Sequence, residues 1–209
     1  MEDERKRRIL DAAVEIIAKK GFTEAKVHEI SDGARVGVGT IYSQKLFKNK
    51  LDLLLSITLD FWKNLNKQIE LRVSKKEHPE QKFYELLAIL EELLLGNVQS
   101  IYLSKVLHEA IPHIYFIEDE ELIKKRRKIT HENRKLLRSL DRIIEEGQKQ
   151  GEFDDALRPT VMRQVLFGSF EFLLYGLSLE ASGREKDVGY KEQDVRKAMD
   201  VLFNKFLKK

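Results

Sequence analysis

The fold is decided by residues 27–47, which are VHEISDGARVGVGTIYSQKLF. Apolar spacing predicts one short helix over about 27–34 and another from about Val38, joined by the turn Arg35-Val36-Gly37. Two short helices around such a turn form a helix-turn-helix. The small core between them would contain Val27, Ile30, Ala34, Val36 and Ile41.

The same segment concentrates positive charge. The whole chain has 38 Lys and Arg against 35 Asp and Glu, a net charge of only +3. Between Gly33 and Leu51, however, there are four cations and no acid. Small residues at 37–40 let the backbone approach a major groove, and free N–H groups at helix starts are donors for phosphate oxygens. The segment therefore predicts binding to double-stranded DNA.

The rest of the chain predicts an all-α protein. Of its 209 residues, 42% are hydrophobic and 35% are charged, which indicates a globular chain. Long stretches without Gly or Pro favour helices, and no stretch alternates as a strand would. We expect nine helices, the later ones at about 48–73, 79–95, 98–111, 118–149, 159–181 and 191–207.

Composition also excludes several classes of protein. The absence of cysteine rules out disulfides, thiol nucleophiles and cysteine-bound metal clusters. The opening MEDERKRRIL does not resemble a secretory signal, and no run reaches the roughly 18 apolar residues of a membrane span. We expect a cytoplasmic protein with no membrane contact, no metal and no cofactor.

Residues 8–55 resemble the N-terminal domain of the TetR family of bacterial transcriptional regulators. The resemblance lies in RILDAAVEIIAKKGF (8–22), VHEISDGARVGVGTIY (27–42) and LFKNKLDLL (46–54). It implies a nine-helix homodimer, with residues 1–50 binding a palindromic operator and residues 51–209 binding an effector and dimerising. Members are usually repressors that release DNA when a small molecule enters the C-terminal domain.

The resemblance implies a set of DNA contacts. Thr40 and Tyr42 match recognition-helix positions, and Lys50 matches a lysine that grips a phosphate. Gln can pair with adenine, Lys can approach guanine, and a valine can touch a thymine methyl. Tyr42 could instead only pack within the domain, and the lysines could be an ordinary solvated surface. The candidates are Lys26, Val38, Gly39, Thr40, Tyr42, Ser43, Gln44, Lys45 and Lys50.

Three features depart from the family pattern. Phe47 follows Tyr42 by five residues where the family usually has three, which leaves base readout open. Arg35 stands where a turn glycine is usual, and a left-handed backbone there would cost roughly 1 kcal/mol. Ala25-Lys26 replaces the usual hydroxyl residues before the second helix, so an N-cap is lost and a cation is gained.

Apolar stripes on the last two helices predict the homodimer. Paired with their symmetry mates, they would form a four-helix interface and place two recognition helices about one DNA turn apart. Both stripes could instead be buried within the monomer. The predicted interface contains Val165, Gly168, Ser169, Phe172 and Gly176, then Met199, Leu202, Phe203 and Phe206. Leu173 and Val195 lie on the same stripes.

Apolar and aromatic residues with a few polar tips predict a cavity for a small hydrophobic effector. The same mixture would fill an ordinary core. Residues 143–172 also resemble the acyl-CoA-responsive fatty-acid regulators of the family, which suggests acyl-CoA as the effector. The candidates are Phe83, Leu87, Tyr102, Val106, His108, His113, Phe167, Phe170 and Tyr175.

Two other classes of function compete with a regulator. An enzyme acting on acyl lipids would need a nucleophile with a base, or a metal site. Neither G-x-S-x-G nor a zinc-binding histidine pair occurs, because His108 and His113 lie five residues apart. We therefore expect no enzymatic activity. A helical ligand-binding scaffold without sequence-specific DNA binding is the remaining alternative.

Overall fold

The computed structural model describes residues 2–43 and 46–208. Within these ranges the prediction of an all-α, nine-helix protein is confirmed, and no strand occurs. A 3-10 turn, Val73–Lys75, follows α4, and a π-helical turn, Phe203–Leu207, follows α9. The helices are α1 (Glu2–Lys20), α2 (Val27–Gly33), α3 (Val38–Ser43), α4 (Lys50–Arg72), α5 (Pro79–Leu95), α6 (Val98–Tyr115), α7 (Glu120–Gln150), α8 (Pro159–Ala181) and α9 (Glu192–Leu202).

Helices α5 and α6 meet at a sharp bend. The side chain of Asn97 caps α6 by accepting a hydrogen bond from the Ser100 N–H at 3.0 Å. The expected end of α6 at residue 111 is wrong, because the helix continues through Pro112 to Tyr115, about one more turn. Among the described residues no single helix is long and apolar enough to cross a membrane. Helices α5 and α6 reach that length and apolar character only when taken together, and their axes are bent by 95° at the break between them.

The N-terminal core is built from α1 to α4 and is completed by α6. Ile9, Ile17, Ile30, Ile41 and Phe47 are all buried there. From the middle of the chain, α6 adds three buried residues to this core, namely Tyr102, Val106 and Ala110. The N-terminal core therefore packs directly on a helix of the C-terminal part.

The turn between α2 and α3 contains a left-handed arginine. Arg35 has φ +55°, and it is the sole non-glycine residue with positive φ among those described. Its N–H donates to Asp32 O at 3.0 Å, and the N–H of Val36 donates to Ser31 O at 3.0 Å. These bonds form a Schellman motif, whose left-handed position is usually glycine. At the other end of α2, the Lys26 N–H donates to Glu29 Oε2 at 3.2 Å.

The larger core is formed by α4, α5, α7, α8 and α9. In its middle Phe83 stacks on Phe203 with ring centroids 4.5 Å apart. Met199 and Phe203 are 1% and 0% exposed, so their assignment to a dimer interface is wrong: the apolar face of α9 is covered by this chain's own core. Val195 is buried with them, and Leu202 packs half-buried against the same core. The side chain of Phe206 lies outside the described part of the chain.

The outer face of α8 is different from that of α9. Phe172 is 75% exposed, and Val161 and Val165 are also exposed. Gly168 has no neighbouring atom within 4 Å of an added Cβ, and Ser169 is half-buried. The assignment of Gly176 to this face is wrong, since Tyr190 covers it and donates its hydroxyl to Leu173 O at 2.8 Å. An apolar stripe with small residues therefore lies open along α8.

The left-handed turn yields a stability prediction. Replacing Arg35 with Gly or Ala removes the same exposed side chain, but only Gly tolerates φ +55° without steric strain. We expect Arg35→Gly to be about 1 kcal/mol more stable than Arg35→Ala in urea unfolding. Equal stabilities of the two variants would show that the turn is not strained.

Candidate DNA-binding surface and effector cavity

Helix α3 presents a small exposed surface above a buried anchor. Val38 is 45% exposed and Tyr42 is 39% exposed, while Ile41 between them is fully buried. Thr40 is half-buried, and its N–H donates to Gly37 O at 2.8 Å. Partial burial raises the pKa of the Tyr42 phenol, so the hydroxyl keeps its proton at neutral pH and can donate to phosphate. Gly39 is exposed beside these side chains.

The segment after α3 carries the unusual spacing. Gln44 and Lys45 lie outside the described residues, as does the side chain of Ser43. Phe47 nevertheless reaches the N-terminal core, where it is buried and donates its N–H to Ile41 O at 3.3 Å. The two extra residues between Tyr42 and Phe47 therefore leave the packing of Phe47 in the core intact.

Lys50 contacts the loop between α1 and α2. Its Nζ donates to Thr23 O at 3.0 Å and to Ala25 O at 2.9 Å, and it lies 4.8 Å from the ring centroid of Phe22. Burial lowers the pKa of its ammonium. Two of its three donors hold the loop between α1 and α2, and its predicted contact with a phosphate stays a prediction. Lys26, by contrast, is exposed.

Sequence reasoning overlooked the basic start of α1. Arg7 and Arg8 are exposed and Lys6 is half-buried. They lie about one turn before Ala12, whose Cβ is 3.3 Å from the position of a Cβ added to Gly33. This half of α1 therefore runs beside the end of α2. The run of cations at 5–8 was a visible signal, and it lies close to the helix-turn-helix.

A cavity of about 330 Å³ lies among α4, α5, α6, α7 and α8. This volume falls within the range of small-molecule sites. Its walls are mainly apolar, and Leu65, Leu90 and Leu174 are buried in them. At the exposed end, Ile111 and Tyr115 remain 49% and 71% exposed. The cavity thus has an apolar interior and an open mouth.

The predicted effector residues divide into two groups. His108, Phe167, Phe170 and Tyr175 line the cavity, and the rings of His108 and Tyr175 stack at 4.0 Å. The other five do not line it, so their assignment to the cavity is wrong.

Two of those five residues belong to the larger core. Phe83 stacks on Phe203, and Leu87 is buried beside it. The remaining three face the N-terminal part of the chain. Tyr102 and Val106 are buried in the N-terminal core, although the Tyr102 hydroxyl donates to Ala181 O of α8 at 3.2 Å, and His113 packs on Phe22 with ring centroids 4.3 Å apart. Composition could not separate these faces of α5 and α6.

Sequence reasoning missed the walls contributed by α4, α7 and part of α6. Thr130 and Asn133 interrupt an otherwise apolar face of α7, which is a sequence signal for a cavity that needs polar groups. Glu171 likewise interrupts an otherwise apolar lining face of α8. The missed lining residues are Thr58, Phe61, Trp62, Leu65, Leu94, Ser104, Leu107, Ile111, Ile114, Tyr115, Ile129, Thr130, Asn133, Leu136, Glu171 and Leu174.

Helix α6 has the cavity on one side and α1 on the other. Ser104, Leu107 and His108 line the cavity, whereas Lys105 is only 2% exposed and donates to Ala18 O near the end of α1. Lys105 also lies 3.5 Å from Glu109. Burial lowers the pKa of Lys105, and the nearby carboxylate opposes that shift.

Further bonds secure the same end of α1. Glu109 Oε2 accepts the N–H of Phe22 at 3.0 Å. Arg184, which follows α8, donates to Lys20 O at 2.5 Å. Cations near the C-terminal carbonyls of a helix are favoured by its dipole. The end of α1 is therefore held by side chains from the C-terminal part.

A second polar connection joins α4 to α7. Lys125 contacts Asp52 and donates to Ser56 Oγ at 2.9 Å, and Asp52 also accepts the Lys48 N–H at 2.8 Å. The Lys48 ammonium pairs with Asp119, the N-cap of α7, and this pairing raises the pKa of Lys48. Both helices line the cavity further along their length.

This arrangement defines a helix-turn-helix protein with an internal small-molecule cavity. The family model described as "Bacterial regulatory proteins, tetR family" matches residues 9–57, and the model "YsiA-like protein, C-terminal region" matches residues 117–175. The chain therefore belongs to the TetR family of bacterial transcriptional regulators. Members of this family bind DNA and are not enzymes, so the expectation of no enzymatic activity is confirmed.

Individual relatives agree with this classification. A fatty acid metabolism regulator protein of Bacillus subtilis is 28% identical over 163 residues, which are 78% of each chain. The FadR structure from Bacillus subtilis in complex with stearoyl-CoA has a TM-score of 0.68 at 25% identity, covering 94% of this chain and 96% of that one. FadR from Bacillus halodurans has a TM-score of 0.72 at 24% identity, covering 98% and 97%.

The position of Lys50 yields a second prediction. Lys50→Met keeps much of the apolar stem but leaves two carbonyls without their donor. We expect it to lower the free energy of unfolding by about 1–2 kcal/mol. Lys67→Met, at an exposed position of the same helix, is the matched control and should change it by less than about 0.5 kcal/mol. If both variants unfold alike in urea, the ammonium of Lys50 has no structural role.

Proposed function

We propose that this protein is a homodimeric, cytoplasmic repressor that binds a palindromic operator through α3 and releases it when an acyl-CoA occupies the cavity. One observation carries the proposal: α6 lines the cavity with one face and holds α1 and the N-terminal core with the other. A ligand that displaces α6 must therefore move α1 and the N-terminal core, which carries the helix-turn-helix, or break their contacts with α6.

The DNA contacts in this proposal come mainly from α3. Exposed Val38 and Tyr42, together with Gly39, Thr40 and Lys26, form the proposed contact surface. Ser43, Gln44 and Lys45 stay candidates from the sequence alone, and the exposed cations at the start of α1 supply further phosphate contacts. Residues 1–50 act as the DNA-binding domain, and residues 51–209 carry the effector and dimer functions. Binding would weaken steeply with salt, because phosphate contacts release counterions.

The proposed dimer interface lies on α8. Exposed apolar side chains in a contiguous stripe usually mark a contact surface. Phe172 and Val165 form this stripe with Gly168 and Ser169, and the small residues would let a second α8 approach closely. A twofold axis there would pair two recognition helices, as a palindrome requires.

The proposed effector has an apolar chain and an anionic head. The cavity interior suits an acyl chain, and the FadR relative was solved in complex with stearoyl-CoA. Arg126 lies one turn before the lining residues Ile129 and Thr130, and Arg127 is exposed beside it. Arg126 makes no hydrogen bond or ion pair with the described residues. These guanidinium groups could bind the phosphates of CoA.

The experiment is selection of bound duplexes from a random pool, followed by titration with lauroyl-, palmitoyl- and stearoyl-CoA. We expect an enriched palindrome whose complex dissociates with at least one of the three. Enrichment without dissociation would contradict the proposed effector class. The absence of an enriched sequence would favour a helical scaffold that has lost sequence-specific binding.

Filling the cavity should separate effector response from DNA binding. Ser104→Phe places a ring inside the cavity without touching α3. We expect operator affinity to stay within about twofold while the acyl-CoA concentration needed for release rises at least about tenfold, which corresponds to about 1.4 kcal/mol. Fluorescence anisotropy of labelled operator measures both quantities. Ser104→Ala, which leaves the space open, should release normally; a normal response in Ser104→Phe would place the effector elsewhere.

Removing the exposed ring of α3 should weaken operator binding. Tyr42→Ala deletes a side chain with no structural anchor beyond partial burial, so we expect about a tenfold loss of operator affinity without loss of the dimer. Val201→Ala, at an exposed apolar position on α9, is the control. Sedimentation checks the dimer. Unchanged operator affinity in Tyr42→Ala would remove Tyr42 from the proposed surface.

A further inference from the structure

The cavity contains an acidic residue that its apolar walls do not explain. The lining positions of α8 are Phe167, Phe170, Glu171, Leu174 and Tyr175, which recur at the spacing of one helix face. Glu171 is therefore placed in the middle of an otherwise apolar and aromatic face. The residue itself is exposed to solvent, so the carboxyl stands where the cavity meets solvent.

Within the described part of the chain, no side chain pairs with this carboxyl. Glu171 makes no hydrogen bond and no ion pair with any described residue, although acids elsewhere on the surface are widely paired. The other titratable side chains around the cavity are His108, Tyr115 and Tyr175, and none of them bonds to it. Burial raises the pKa of the Glu171 carboxyl. An unpaired carboxyl at the edge of an apolar cavity keeps its acceptor oxygens available to a ligand.

The chemistry of a carboxylate defines which ligands it accepts. It can accept a hydrogen bond from an N–H group, and it repels a second carboxylate. A free fatty acid ends in a carboxylate. An acyl-CoA has a neutral thioester in the same place, and its pantetheine arm continues with amide N–H groups. The two molecules share the acyl chain and differ most at the point where the chain leaves the cavity.

We propose that Glu171 is the specificity-determining residue that admits acyl thioesters and excludes the corresponding free fatty acids. The proposal rests on the proposed function, because it assumes that the acyl chain occupies the cavity. Its carboxylate accepts a ligand amide N–H at the mouth and repels the head group of a free acid. The regulator would then respond to activated fatty acids and ignore unactivated ones.

The test compares two head groups on one chain in the wild type and in Glu171→Gln. Trp62 is the one tryptophan of the sequence and lines the cavity, so its fluorescence reports binding directly. Lauroyl-CoA and laurate are titrated at pH 8, which favours the ionised forms of both carboxyl groups. We expect the wild type to bind lauroyl-CoA at least about tenfold more tightly than laurate, as two nearby like charges at an effective dielectric of about 20 would require.

The glutamine variant should lose this discrimination. Glu171→Gln keeps a carbonyl acceptor and removes the charge, so its affinity for laurate should rise about tenfold while that for lauroyl-CoA stays within about threefold. Glu171→Asp, which keeps the charge, is the matched control and should still reject laurate. Unchanged discrimination in Glu171→Gln would overturn the role of Glu171 and leave the proposed function standing.

A ligand-side comparison needs no variant and remains decisive if Glu171→Gln does not fold. N-methyllauramide has the same chain with a neutral head group and an N–H donor. We expect the wild type to bind it at least about tenfold more tightly than laurate, and equal affinities would contradict the proposal. Failure of lauroyl-, palmitoyl- and stearoyl-CoA alike to change the fluorescence would instead overturn the proposed function itself.

Discussion

A buried ammonium at the end of α1 connects the DNA-binding helices to the rest of the molecule. Lys105 projects from α6, is 2% exposed, and donates to the carbonyl of Ala18 close to Glu109. Removing one partner of such a buried arrangement is costly, because it leaves an uncompensated charge or carbonyl. Helix α1 therefore follows α6 unless this bond breaks. The placement of the whole N-terminal core, including the exposed face of α3, depends on that constraint.

The opposite face of α6 explains why the constraint matters for function. Ser104, Leu107 and His108 neighbour Lys105 in sequence but line the cavity. In the proposed mechanism, an acyl chain in the cavity favours a position of α6 at which the two recognition helices of the dimer no longer match successive grooves. The pairing of Lys48 with Asp119 is a second connection, through α4 and α7, that would respond to the same ligand.

Local sequence pattern was sufficient to predict the fold, but it predicted only part of the site. The helix-turn-helix, the helix order and the exposed Tyr42 followed from spacing and family resemblance, and Arg35 is left-handed where a turn glycine is usual. The helix that contains Met199 does have an apolar face, as predicted. An apolar face in the sequence does not show whether it packs against another chain or against the core of its own chain. Lys50 binds carbonyls distant in sequence, and cavity walls such as Trp62 come from helices whose packing no periodicity specifies.

In the proposed mechanism the cavity and the operator surface bias one shared conformation of the protein. The most direct measurement is the affinity of palmitoyl-CoA for the protein with and without saturating operator duplex. Linkage requires the operator to weaken acyl-CoA binding by the same factor by which acyl-CoA weakens operator binding, about 5- to 150-fold for typical allosteric proteins. An acyl-CoA affinity that is unchanged by the operator would contradict the coupling through α6.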